Sequence, residues 1–196
     1  MHQDCECNEF EDFDYPPQVG FPAPVFEGLK SYHRQTAGEN GEFKEVSLKD
    51  YEGKWVVLFF YPRDFTFICP TEIQEFGEMY PEFQDVNCEI VGASTDSEFA
   101  HKEWFESDAR LKKVTYPIIA DTTQELAEMF NVLDEDGSAQ RGTFIIDPTG
   151  TLKFMLISAD SVGRNIKETL RVVKALQTGE RCPANWEQGK DTLGKA

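Results

Sequence analysis

Basic residues are scarce in this chain. Only 19 Lys and Arg stand against 36 Asp and Glu in 196 residues, for a net charge of −17. That balance excludes a nucleic-acid binder, which needs clustered Lys and Arg, and an anionic membrane surface, which attracts the same residues. Long apolar runs are missing too. None approaches the ~20 residues of a membrane-spanning helix, so no membrane association is expected. The first residues, Met1-His2-Gln3-Asp4-Cys5-Glu6-Cys7, lack the basic-then-apolar order of a secretory signal, which leaves the cytoplasm as the expected location. Cysteine is sparse: five unevenly placed residues do not make a disulfide scaffold. In a reducing compartment such thiols pair only transiently or in catalysis. The three histidines, His2, His33 and His101, show no metal spacing. Cys5 and Cys7 with His2 could bind a metal or join a thiol relay, but three ligands on one arm are not a preformed site. No metal or other cofactor is expected.

What is present fits one globular domain, with 40% hydrophobic and 13% aromatic residues. Residues 1–20 read as a disordered acidic arm ending in Pro16-Pro17, 21–178 as the folded domain, and 179–196 as a mobile Pro- and Gly-bearing tail. Strands are expected at 43–46, 55–61, 88–94, 116–120, 143–146 and 152–157. The run from Trp55 to Tyr61 is continuously apolar, as in a strand buried on both faces. Helices are expected after Cys69, at 97–107 with Phe99, Trp104 and Phe105 buried, at 124–130, and at 162–177. Asp147-Pro148-Thr149-Gly150 has the signature of a type I turn joining two hairpin strands. Strands alternating with helices and a late hairpin imply an α/β sandwich with a mixed sheet.

The most informative residue is Cys69. It follows the apolar strand and opens a helical pattern, with Ile73, Phe76 and Tyr80 on one face and Pro81 as the expected end or kink. Pro70 suits a first helical position, and Glu72 stands three residues after Cys69, as in a capping box with sulfur in place of oxygen. A thiol at a helix N-terminus meets unpaired N–H groups and the positive end of the dipole, both of which favour thiolate. A buried structural cysteine fits the same position equally well.

Wording adds what position leaves open. Pro62, Thr66 and Cys69 form Pro-x-x-x-Thr-x-x-Cys within Phe60-Tyr61-Pro62-Arg63-Asp64-Phe65-Thr66-Phe67-Ile68-Cys69-Pro70-Thr71-Glu72. This run resembles the active-site signature of the peroxiredoxins, in particular the typical two-cysteine subgroup that includes the alkyl hydroperoxide reductase C proteins. Gly179-Glu180-Arg181-Cys182-Pro183-Ala184-Asn185-Trp186 resembles that subgroup's resolving-cysteine segment. Arg141-Gly142-Thr143-Phe144-Ile145-Ile146-Asp147, Trp104 and Val162-Gly163-Arg164 match as well, so the resemblance covers residues 20 to 190.

The resemblance implies a thioredoxin-like fold and a thiol peroxidase acting on hydrogen peroxide and organic hydroperoxides. It implies that Cys69 is the peroxidatic thiol and Cys182 the resolving one, joined across two subunits. By the same carry-over Thr66 hydrogen-bonds the peroxide, Arg141 stabilises thiolate and transition state, Pro62 packs over the pocket, and Glu72 orients the arginine. A thioredoxin-like or flavoprotein disulfide reductase is the implied electron donor, and a homodimer building a ring, a decamer, the implied assembly. Cys88, at the start of an apolar strand, reads as structural. Raising a thiol from a few per cent to about 90% ionised gains only some thirtyfold, roughly 2 kcal/mol. Donors aimed at the peroxide oxygens must supply the rest. Two other functions fit parts of the pattern: a ring-forming holdase chaperone, which needs no Cys69, and a disulfide exchange protein, which is disfavoured because no Cys-x-x-Cys exists. Peroxide-sensitive relatives carry a Gly-Gly-Leu-Gly loop and a C-terminal Tyr-Phe helix. Neither stands here before Tyr116-Pro117 or after Trp186, which implies resistance to overoxidation.

Overall fold

The computed structural model describes residues 16–195. The expected acidic arm lies, as far as residue 15, outside the described residues, and so do His2, Cys5 and Cys7. By Gly20 the chain has joined the core. Gly20 N donates to Leu152 O at 2.8 Å, and Leu152 N returns to Phe21 O at 2.9 Å.

The strands are β1 (Leu29–His33), β2 (Glu42–Val46), β3 (Trp55–Phe60), β4 (Cys88–Ser94), β5 (Ile118–Ala120), β6 (Arg141–Ile146) and β7 (Leu152–Ser158). The helices are α1 (Cys69–Gln84), α2 (Glu98–Ser107), α3 (Glu125–Met129) and α4 (Ile166–Gln177). All strands join one sheet in the order β2-β1-β5-β4-β3-β6-β7. The sheet is mixed, as expected: β3, β4 and β5 run parallel, and β1, β6 and β7 pair antiparallel to their neighbours. Period-two alternation divides β3 between two cores. Val57 and Phe59 face the layer of α1, α2 and α4, while Val56, Leu58 and Phe60 face the layer of α3. The expected turn is there, with Gly150 N bonded to Asp147 O at 2.9 Å and Gly150 at φ +83.

Three local expectations are corrected, and one strand has no counterpart among those expected. Of the end or kink expected at Pro81, the end does not occur, since α1 runs on to Gln84. Burial of Met79 and Phe83 on the sheet side holds the last turn despite the lost backbone bond. The helix expected from Val162 begins at Ile166, where the Asn165 side chain caps the Glu168 N–H at 3.1 Å. Phe99 is 65% exposed rather than buried, its ring packed edge-on against Phe43. β1, whose letters Leu-Lys-Ser-Tyr-His alternate poorly, was not foreseen from the pattern, and it pairs β2 and β5 in the sheet.

α1 and α4 lie side by side and parallel. At one end the Arg164 backbone N–H, just before α4, bonds Glu72 Oε1 in the first turn of α1 at 2.8 Å. At the other end Gln177 Nε2 bonds Val86 O at 2.6 Å, just past α1. The 12 residues of α4 therefore separate the two ends, about 18 Å at 1.5 Å per residue.

Candidate active site

Cys69 sits in the first turn of α1, directly beyond the loop from β3, and is fully buried. Ile68, not Cys69, takes the cap position, and no side chain caps the helix. The expected capping box is therefore absent. The Glu72 carboxylate is drawn away by two guanidinium groups that local sequence does not reveal.

The first is Arg141, the opening residue of β6. Its Nη1 donates to Cys69 Sγ at 3.4 Å and to Glu72 Oε2 at 2.7 Å. Its Nε donates to Asp160 O at 2.8 Å, and Nη2 lies 3.0 Å from Asp160 Oδ1. Burial lowers the Arg141 pKa, but Cys69, Glu72 and Asp160 outweigh it, so the group stays above its ordinary value. The second is Arg164, whose Nη1 lies 3.4 Å from Glu72 Oε2 and whose Nη2 donates to Phe60 O. Its guanidinium also stands over the Phe59 ring, 5.3 Å from the centroid. Burial pushes it down to about 10, which leaves it charged at neutral pH.

Charge counting then says what this cluster is for. Two buried guanidiniums and one buried carboxylate leave one uncompensated positive charge, and burying such a charge is costly. Cys69 Sγ lies within hydrogen-bond reach of Arg141, at the place where a negative charge would balance it. Asp160, with 76% of its side chain exposed, sits on the rim, where water screens it.

The other expected residues fall at different places. Pro62, half-buried, lines a cleft of about 380 Å³ with Asp160, the ion-pair partner of Arg141. Thr66, also half-buried, donates its hydroxyl to Arg63 O at 2.9 Å. Cys182 lies at the far end of α4, its Sγ 3.5 Å from Thr178 Oγ1 and 3.7 Å from Ala175 O. The tail expected to be mobile is folded. Glu180 bridges Lys195, Leu193 N bonds Arg181 O at 2.8 Å, and Arg171 Nη1 bonds Trp186 O at 2.8 Å.

Residues 19–155 match the AhpC/TSA family. That match takes in β1 through β6 together with the loop and first turn that hold Cys69. The chain is a typical two-cysteine peroxiredoxin of this family. It is 51% identical to a thioredoxin peroxidase of Trypanosoma brucei rhodesiense, covering 90% of this chain and 89% of that one. Peroxiredoxin-2 of Bos taurus is 46% identical, covering 89% of this chain and 88% of that protein. Among solved structures, a reduced two-cysteine peroxiredoxin of Plasmodium vivax superposes with a TM-score of 0.83 at 32% identity, covering 90% and 93% of the two chains. Mycobacterium bovis AhpC superposes at 0.80 with 38% identity, covering 88% and 99%. The thioredoxin-like fold expected from the sequence is thereby established for this peroxiredoxin.

Arg164 is the site residue that sequence reasoning left without a role, although Val162-Gly163-Arg164 stood out as a matching segment. Gly163 packs closely beside the start of α1: a Cβ on it would lie 3.2 Å from Ile68 Cγ2, a tight contact that the Ile68 side chain would have to relieve.

Proposed function

We propose that Cys69 is the peroxidatic thiol of a peroxidase that reduces hydrogen peroxide and organic hydroperoxides. The Cys69 thiolate attacks one peroxide oxygen, the O–O bond breaks, and the other oxygen leaves as ROH after taking a proton. Cys69 is left as a sulfenic acid. Arg141 neutralises the thiolate and donates toward the lengthening O–O bond. Glu72 fixes Arg141, Arg164 fixes Glu72, and Pro62 and Thr66 shape the approach. The observation that carries this reading is the 3.4 Å contact of Arg141 Nη1 with a fully buried Cys69 Sγ inside an otherwise unbalanced charge cluster.

Cys182 resolves the sulfenic acid in this proposal: its thiol attacks Cys69 sulfur, a disulfide forms and water leaves. The partner is Cys182 of a second subunit. Within one chain the two cysteines lie at opposite ends of the parallel pair α1 and α4, whereas a disulfide needs Cα atoms roughly 4.4–6.8 Å apart. A dithiol reductant of the thioredoxin or flavoprotein class then restores both thiols, in the cytoplasm. The edge of β7, unpaired among the described residues and with Leu156 half exposed, and the exposed Phe65, Phe67 and Phe99 supply surfaces for a homodimer and a ring such as a decamer. The holdase reading draws no support from this site, since it needs no buried thiolate. Cys69→Ser is expected to abolish peroxide consumption while the fold survives, as read by circular dichroism. Retention of most of the activity would remove Cys69 from its role.

A further inference from the structure

Beneath the loop that carries Pro62 and Thr66 lies a buried acid–histidine pair that the chemistry above does not use. Asp64 stands between those two residues in the chain. Its Oδ2 lies 2.7 Å from Nδ1 of His101 in α2, with the two side chains 1% and 0% exposed. The other ring nitrogen, Nε2, lies 3.1 Å from Ile119 O in β5. A carbonyl only accepts, so Nε2 carries a hydrogen. One more proton is then shared between Nδ1 and the carboxyl group.

The remaining contacts fix Asp64 from every side. Tyr61 donates its hydroxyl to Asp64 Oδ1 at 2.8 Å, and burial keeps that phenol protonated. The Asp64 N–H donates to Asp96 Oδ2 at 2.9 Å, and Ser94 Oγ holds the same oxygen at 2.8 Å. Burial raises the Asp64 carboxyl above the usual range, Asp96 adds to that, and His101 and Tyr61 oppose it. Glu98 of α2 is the other nearby acid, and it is paired with Lys30 at 3.1 Å.

A buried pair of this kind adds little net stability, because desolvation offsets its attraction. What it supplies is a fixed position, and the position matters here. Directly after Asp64 the backbone reverses through Phe65 at φ 55, a left-handed conformation that is strained for a bulky residue. Thr66 then closes the reversal with its bond to Arg63 O. Phe65 itself is largely exposed, so the buried anchor of the turn is Asp64.

We propose that Asp64 and His101 are positioning residues for the peroxide reaction, clamping the loop between β3 and α1 so that Pro62 and Thr66 stand where peroxide meets Cys69. The proposal rests on the peroxidase reading and is tested separately from it. Peroxide attack needs the loop in place, whereas alkylation of Cys69 by iodoacetamide needs only the thiolate. Asp64→Ala is expected to slow single-turnover peroxide attack by about one to two decades, the scale of a small misplacement of reacting groups, while alkylation keeps its wild-type rate. Asp64→Asn is expected to restore most of the peroxide rate, because its amide donates to Nδ1 and its oxygen accepts from Tyr61. Should Asp64→Ala fail to fold, Tyr61→Phe, which removes one hydroxyl, gives the same split at smaller size. A wild-type peroxide rate in Asp64→Ala or Tyr61→Phe, peroxide attack and alkylation falling together in either, or no rescue by Asn would overturn the proposal. A Cys69→Ser protein that still consumes peroxide would instead overturn the peroxidase reading.

Discussion

At the scale of single residues the account turns on charge balance around one sulfur. Arg141 is asked to do two things, to neutralise the thiolate and to donate in the transition state, and these can be separated. Arg141→Ala is expected to slow peroxide attack by about two to three decades, as when one donor to developing charge is lost. Iodoacetamide alkylation, which reports thiolate alone, should fall by much less, and equal losses in stopped-flow measurements of both would deny the donor role. Glu72 has a different duty. Its carboxylate is the one buried counter-charge that the two guanidiniums share. Glu72→Ala is expected to lower stability by about 3–5 kcal/mol, the cost of stranding a buried charge, read as a drop in urea midpoint. A loss below about 1 kcal/mol, the level of an exposed pair, would show that water already screens the cluster. The resemblance named Cys69, Glu72 and Arg141, which the structure brings within contact of one another. The roles of Arg164 and of the Asp64–His101 pair were not legible in the letters, because each depends on side chains far apart in sequence meeting in a buried space, and no local pattern encodes that meeting.

At the scale of elements, the proposed cycle requires the first turn of α1 to open, because Cys69 is buried there. That turn lacks a side-chain cap, which in general forgoes about 1 kcal/mol of helix stability. The short 3₁₀ helix Ala109–Lys113 and its following residue brace α1 at its middle, where a Cβ on Gly77 would lie 3.0 Å from Val114 Cγ2. The hydrogen bonds of the tail run within itself and to α4. With no side-chain cap on the first turn and no tail hydrogen bond to it among the described residues, disulfide formation is expected to outrun a second peroxide. Mass spectrometry during turnover should therefore show little sulfinic Cys69 as peroxide rises. Extensive sulfinic acid at low-micromolar peroxide would contradict it. The sheet makes a separate demand. Gly92 in β4 faces Ile118 and Phe59 so closely that a Cβ would lie 2.6 Å from Ile118 Cδ1 and 2.9 Å from Phe59 Cζ. Gly92→Ala is expected to cost about 1–3 kcal/mol by overpacking, checked by denaturant melting, and an unchanged midpoint would show that the two side chains yield freely. Elements rich in apolar residues, such as β3 and β4, were readable from pattern, whereas β1 and the end of α1 were not. Ser31 is fully buried in β1, and its hydroxyl donates to Lys44 O at 2.9 Å, so β1 is held by pairing rather than by alternation. The last turn of α1 survives its proline through tertiary burial, which local propensity does not report.

At the scale of the whole molecule, the parallel packing of α1 and α4 bears on how the proposed cycle closes. It sets Cys69 and Cys182 at opposite ends of the same helix pair, which is why the proposed disulfide joins two subunits rather than one chain. The most direct test is non-reducing electrophoresis with peptide mapping after one equivalent of peroxide. The account predicts a band of doubled mass in the wild type, a linked Cys69–Cys182 peptide pair in its digest, and no such band for Cys69→Ser or Cys182→Ser. A disulfide confined to one chain, or a doubled band that persists without Cys182, would contradict it.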